Sequence, residues 1–157
     1  MSTPNILLTR IDNRLVHGQV GVTWTTTLGA NLIIVADDIT ANDPLQQQLM
    51  EVTANSSGAE IRFFSLQKTI DIIHKASARQ KIFIVVRNPQ SAKILLEGGV
   101  PIKELNIGNM HFSNGKEALS KKVYVDKQDL SDLKAIQNQG VSVYIQDVPS
   151  DRKQTIE

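Results

Sequence analysis

NILLTRIDNRLVHGQVGVTWTTTLGANLIIVA, residues 5–36, decides how this chain folds. It opens on a short apolar run, Asn5-Ile6-Leu7-Leu8-Thr9-Arg10, which reads as a buried first strand. Residues 18–28 carry Val20, Val22, Trp24 and Leu28 as the apolar side chains of a helix, and Gly29 supplies the stop. Thr25-Thr26-Thr27 is poor helix material, so packing must hold that segment in place. Leu32-Ile33-Ile34-Val35-Ala36 follows as a second buried strand.

The same alternation runs through the rest of the chain. Asn42-Asp43-Pro44 opens a helix with a cap residue and a proline at its first position, and Asn55-Ser56-Ser57-Gly58 ends it after Ala54. Residues 60–64 form a third strand, and Ser65 caps a helix with Leu66, Ile70 and Ile73 on its apolar side. Ile82-Phe83-Ile84-Val85-Val86 is the strongest strand, and Asn88-Pro89 starts a helix that Gly98-Gly99 stops. Leu105-Asn106-Ile107 is a fifth strand, residues 108–115 a loop, and residues 122–125 a short strand. A helix from Asp126 or Lys127 to Asn138 ends at Gly140, residues 141–145 make the last strand, and a polar tail starts at Pro149. Strands alternating with helices over short links predict an α/β domain with a largely parallel sheet covered on both faces. No repeat or linker divides the 157 residues, so residues 1–157 read as one domain.

Composition limits the function. The net charge of +1 and an aromatic content of 4% give no general field or stacking surface for nucleic acid. With no cysteine, disulfides and thiolate metal sites are excluded, which suits a cytosolic protein. Met1-Ser2-Thr3-Pro4-Asn5 lacks the basic and apolar regions of a signal peptide, so none is expected, and no run of about 18 apolar residues predicts a membrane span.

Ligands of open parallel sheets bind beyond the carboxyl ends of the strands, which directs attention to the loops there. Neither of the glycine-rich nucleotide motifs follows a strand. Residues 10–19, Arg10-Ile11-Asp12-Asn13-Arg14-Leu15-Val16-His17-Gly18-Gln19, gather two arginines, an aspartate and a histidine between the first strand and the first helix. His17 stands at a helix start, where free N–H groups favour an anion. Arg14 offers a planar fork of donors to phosphate oxygens, and Arg10 adds charge from the strand end. Asp12 can hold Arg14 or select the imidazole tautomer of His17. This set suits a phosphohistidine site, a nucleophile with fixed positive charge for the transferred group. A surface ion-pair network around a loop histidine fits the same spacing. Arg10, Gly18, Gln19, Ser65, Asn109 and His111 are candidates for phosphate binding or for the site wall.

The remaining polar residues read more plainly. His74 falls near a helix end as a surface histidine. No His-x-x-x-His spacing supports a metal site, and no cofactor is expected. Asp37 and Asp38 resemble the acidic pair of receiver domains, but without that fold's partner residues they are expected to cap their loop or face solvent. Trp24 is expected in the core.

Residues 10–20 resemble the active-site loop of the IIB components of the mannose/sorbose family of the bacterial phosphoenolpyruvate:sugar phosphotransferase system. The resemblance continues through Trp24, Ala30-Asn31, Asp43-Pro44, Phe64-Ser65-Leu66 and Gly108-Asn109-Met110-His111, and is greatest to N-acetylgalactosamine/galactosamine-type IIB components. It implies a three-layer α/β/α domain with a central, mostly parallel sheet of six to seven strands. It also implies that His17 takes a phosphoryl group on Nδ1 from a phospho-IIA component and passes it to a sugar at the membrane IIC and IID components. Arg14 matches the family's phosphate-stabilising arginine and Asp12 an acidic residue of the same loop, while Asn13 stands where members often carry aspartate. A homodimer, cytoplasmic and attached peripherally to the membrane through IIC/IID, is implied as well. The alternatives are a IIB for another hexose and a non-enzymatic α/β module that binds a small regulatory ligand.

Overall fold

In the computed structural model, which describes residues 3–156, the first strand β1 (Asn5–Asp12) lies inside a seven-stranded sheet. Met1 and Ser2, part of the N-terminal stretch inspected for a signal peptide, lie outside the described residues. After β1 come α1 (Gly18–Leu28), β2 (Leu32–Ala36), α2 (Pro44–Ser57), β3 (Glu60–Phe64), α3 (Leu66–Ile72) and β4 (Lys81–Val86). They are followed by α4 (Pro89–Glu97), β5 (Glu104–Asn109), β6 (Glu117–Ser120), β7 (Val123–Val125), α5 (Lys127–Asn138), β8 (Ser142–Ile145) and β9 (Gln154–Thr155).

Local chemistry starts the helices where the sequence reading puts them. Asp43, Ser65, Asn88 and Asp126 each accept a hydrogen bond from a backbone N–H of the first helical turn. Each such cap contributes about 1 kcal/mol. The α2 helix runs three residues beyond Ala54 to Ser57, because Gly58 rather than the Asn-Ser-Ser run is the residue that turns the chain. His74 is exposed on a short 3-10 turn after α3, its Nε2 3.1 Å from the Gly99 carbonyl.

The strand order is β3-β2-β4-β1-β5-β8-β9, parallel except for β9. Two strands differ from the sequence reading. The strand at residues 122–125 does not extend the main sheet as a full member: β7 pairs antiparallel with β6, which its own sequence did not announce. The polar tail contributes the seventh main strand instead, through β9 against β8. A two-residue polar strand has no alternation to reveal it and forms only because an edge is available.

Alternation along the strands divides the core. Trp24 of α1 and Met50 and Ala54 of α2 pack with Leu8, Ile33, Val35, Phe83 and Val85 on one face. Leu66, Leu95, Leu133 and Ile136 of α3–α5 pack with Ile11, Ile34, Ile84 and Ile107 on the other. This is the expected three-layer arrangement. The connection from β1 leads towards β2 on one side, whereas that from β5 leads towards β8 on the other, so β1 and β5 flank a topological switch point. Their loops part at the carboxyl ends and leave a crevice there.

Candidate active site

The residues after β1 make a tight turn, with the Leu15 N–H on the Asp12 carbonyl at 2.9 Å. Leu15 is buried and has φ +62°, an unfavourable backbone for a leucine, held by the packing of its side chain. The turn brings His17 back over the end of β1. Asp12, 1% exposed, accepts from the Arg14 backbone N–H on Oδ1 at 3.0 Å, while its Oδ2 lies 3.2 Å from His17 Nε2. Of the two roles open to Asp12, it therefore faces the imidazole; its contact with Arg14 is through the backbone, not the guanidinium.

An acceptor-only carboxylate at Nε2 selects the Nε2–H tautomer and leaves the Nδ1 lone pair unprotonated. The His17 side chain is 27% exposed. His17 is also the N-cap residue of α1, with extended backbone and no side-chain capping bond. The first amides of the helix, those of Gly18, Gln19 and Val20, lack intrahelical acceptors by geometry. Gly18 has φ +49°, which lets the chain enter the helix straight after His17.

His17 lines a cleft of about 400 Å³ together with Asn13, Arg14, Gly18, Leu49 and Arg87. Arg14 is exposed and enters none of the side-chain hydrogen bonds or ion pairs found among the described residues, so its guanidinium is available to a ligand. Arg10 differs from the expectation. It is 3% exposed, with its guanidinium turned under the loop onto Asn106, Asp12 and the Gln146 carbonyl, so it cannot wall the cleft. Burial lowers its pKa, opposed by Asp12 and Asp147, and it remains a cation.

The loop after β5 meets the first loop as the switch point requires. Asn13 donates its N–H to the Asn109 carbonyl at 3.0 Å, and its side-chain oxygen accepts from the His111 N–H. Its amide also donates to the Arg87 carbonyl at 3.4 Å. Asn13 thus ties three loops, and Asn109 and His111 contribute backbone while the His111 ring stands exposed. Gln19 is exposed on the first turn of α1, outside the cleft lining. Ser65 lies at the end of β3, separated from β1 by β2 and β4, with its hydroxyl capping α3. It is not part of this site.

The sequence alone assigned no role at this site to Arg87, Asn106 or Gly108. Asn106 carried a usable signal, a lone polar residue inside an apolar strand. Arg87, at the end of β4, reaches the cleft but is held by Asp37 through two bonds of 3.1 and 2.8 Å. Asp37 also caps its loop through the Thr40 N–H and hydroxyl, and Asp38 accepts from the Leu66 N–H. Trp24 is in the core as expected and donates to the Asp147 carbonyl at 2.8 Å.

Burial raises the Asp37 pKa, but the bonds from Arg87 and Thr40 outweigh it and hold the carboxyl below its ordinary value. The unfolded chain therefore takes up this proton at a higher pH than the folded one. The stabilisation is present above about pH 4 and disappears as pH falls through the lower folded value. Asp37→Asn is expected to lose about 1–3 kcal/mol at pH 7. The gap from the parent protein in urea midpoints should narrow by pH 3, and an equal gap at both pH values would refute the assignment.

A buried carboxylate orienting a histidine at a helix start, beside an unengaged arginine and at a switch point, has the parts that phosphoryl transfer needs without a nucleotide-binding loop. Residues 6–157 match the PTS system sorbose subfamily IIB component, and the chain belongs to that family, a phosphotransfer component of the sugar phosphotransferase system. It is 61% identical to the N-acetylgalactosamine-specific phosphotransferase enzyme IIB component 1 of Escherichia coli K12, over 99% of each chain. It is 48% identical to IIB component 2 of that organism, over 94% of each. The crystal structure of the Escherichia coli IIB component 1 superimposes with a TM-score of 0.95, covering 98% of this chain and 100% of that one. The protein is thus a phosphotransferase, and IIB components work with IIA and membrane IIC/IID partners. Among the described residues no helix is long and apolar enough to cross a membrane.

Proposed function

We propose that His17 carries the phosphoryl group on Nδ1, between a phospho-IIA histidine and a sugar that is N-acetylgalactosamine or galactosamine. The observation that carries the reading is the 3.2 Å approach of His17 Nε2 to the buried Asp12 carboxylate, which leaves Nδ1 as the unprotonated nitrogen of a residue that lines the cleft. The Nδ1 lone pair attacks phosphorus in line as the donor's N–P bond breaks, and that electron pair stays on the donor ring. The His17 ring becomes positively charged as the bond forms, and Asp12 stabilises that charge across Nε2–H. Arg14 and the free amides at the start of α1 face the phosphoryl oxygens. In the second step a sugar hydroxyl attacks phosphorus and gives its proton to water as the Nδ1–P bond breaks and returns its pair to Nδ1.

The sugar reading is supported by the N-acetylgalactosamine specificity of the 61% and 48% identical relatives. A cytoplasmic homodimer attached to the membrane through IIC and IID belongs to the same reading. Its support is the family resemblance, together with the exposed apolar residues Ile39, Leu45, Leu49 and Val52 on and beside α2. Sedimentation of the purified chain tests the dimer.

The experiment for the acceptor supplies phosphoenolpyruvate, the general phosphotransferase proteins and phospho-IIA. One acid-labile, base-stable phosphate per chain is expected; a base-labile phosphate would mean a carboxylate acceptor. Adding candidate IIC/IID membranes and each amino sugar then tests specificity. Arg14→Ala is expected to fold normally and slow transfer about 10²-fold, the effect of removing one charge-stabilising donor. An unaltered single-turnover rate would remove Arg14 from the mechanism.

A further inference from the structure

We propose that Arg10 is a positioning residue for phosphoryl transfer, seated in the space left by the missing Cβ of Gly108 and anchoring Asp12 so that His17 presents Nδ1. The inference rests on His17 being the acceptor. Strand periodicity puts Arg10 and Asp12 on the same face of β1, and Arg10 is paired in register with Asn106 of β5. The register then slips: Ile11 pairs with Ile107 but Asp12 with Asn109, so Gly108 is the extra residue of a bulge. Bulges next to sites re-aim neighbouring side chains.

Gly108 is there for space, not for backbone freedom. Its φ lies outside the left-handed region, but a Cβ would come 2.0 Å from Arg10 Cζ and 2.1 Å from its Nη2. Into that gap Arg10 places its fork: Nη1 bonds Asn106 Oδ1 at 2.6 Å and the Gln146 carbonyl at 3.0 Å, and Nη2 bonds Asp12 Oδ2 at 3.3 Å. The guanidinium also stacks 5.1 Å from the centre of the Trp24 ring, and Asp147 lies 3.8 Å from Nη2. Buried under the loop with both Nη atoms bonded inward, the guanidinium is not placed to meet a phosphoryl group in the cleft. What it does is hold Asp12 Oδ2, the oxygen that faces His17 Nε2. Supporting residues of this kind set ligand orientation, and their loss typically costs about 10–100-fold.

The test uses the full 15N-labelled chain. Ring-nitrogen correlation spectra of the parent protein are expected to show His17 as the Nε2–H tautomer. Gly108→Ala, which displaces Arg10 without touching His17 or Asp12, should mix the two tautomers. It should also lower kcat for transfer from phospho-IIA by about 10–100-fold, with KM unchanged. If that variant fails to fold, Arg10→Lys replaces it: the charge stays but one ammonium cannot span Asn106 and Asp12 as the fork does. The proposal is overturned by an Nδ1–H tautomer in the parent, or by unchanged tautomer and kcat in a folded variant. A raised KM with kcat retained also overturns it, because Arg10 would then act in binding the donor. Failure of the acceptor assignment would look different: phosphate would still be taken up by His17→Gln, while the His17 tautomer in the Gly108→Ala variant still differed from that of the parent.

Discussion

His17→Gln is expected to accept no phosphoryl group from phospho-IIA and to abolish sugar phosphorylation in a reconstituted system. Glutamine keeps an amide donor near Asp12 but offers no nitrogen lone pair basic enough to attack phosphorus. The fold should survive, because His17 is partly exposed and makes no helix-capping bond with its side chain. A change in stability within about 1 kcal/mol is therefore expected from urea unfolding. Radiolabel transfer and sugar phosphate formation are the readouts. Phosphate retained by this variant would move the acceptor elsewhere, with exposed His111, whose loop meets the first loop, as the next histidine to replace.

Asp12→Asn is expected to slow transfer by up to about 10⁴-fold, the effect seen when a histidine-orienting carboxylate becomes an amide. Asp12 accepts from three directions: the Arg14 N–H, the Arg10 guanidinium and His17 Nε2–H. Asparagine can turn its oxygen towards only one side. With that oxygen on the Arg14 N–H, its amino group opposes Arg10 and donates to His17 Nε2, which puts the ring proton on Nδ1 and blocks attack. With the amide flipped, the amino group meets the Arg14 N–H instead, and the turn loses its bond. Either way the buried Arg10 loses its nearest full charge, and destabilisation of roughly 3 kcal/mol is expected. Quenched-flow transfer rates and urea unfolding, taken together, separate the two effects. Wild-type rates would eliminate Asp12 as the residue that sets the tautomer.

Arg10 and Arg14 show where the sequence was informative and where it was not. Both arginines stand within five residues, Arg10 in β1 and Arg14 in the turn after it, and carry the same charge, so both were candidates to meet phosphate. Arg14 falls in the turn after the strand and points outward. Arg10 falls one strand alternation before Asp12 and points onto β5. Which of these happens depends on what β5 offers there, namely an asparagine acceptor and a glycine with no Cβ. Ser65 failed as a site residue for a related reason: every strand of a parallel sheet ends at the same edge, but only some of those ends are neighbours.

By itself the sequence determined the strand–helix alternation, the caps at Asp43, Ser65, Asn88 and Asp126, and the placement of His17 at the start of α1. These follow from residues near each other in the chain, where periodicity and hydrogen-bonding competition act locally. The order of the strands was decided only in the tertiary structure. That order set β5 beside β1, joined Asn13 to His111, committed Arg10 inward and tied Arg87 to Asp37. The physical reason is that a charge at a strand end is free or engaged according to the neighbour across the sheet, and that neighbour is about a hundred residues away for Arg10 and Asn106.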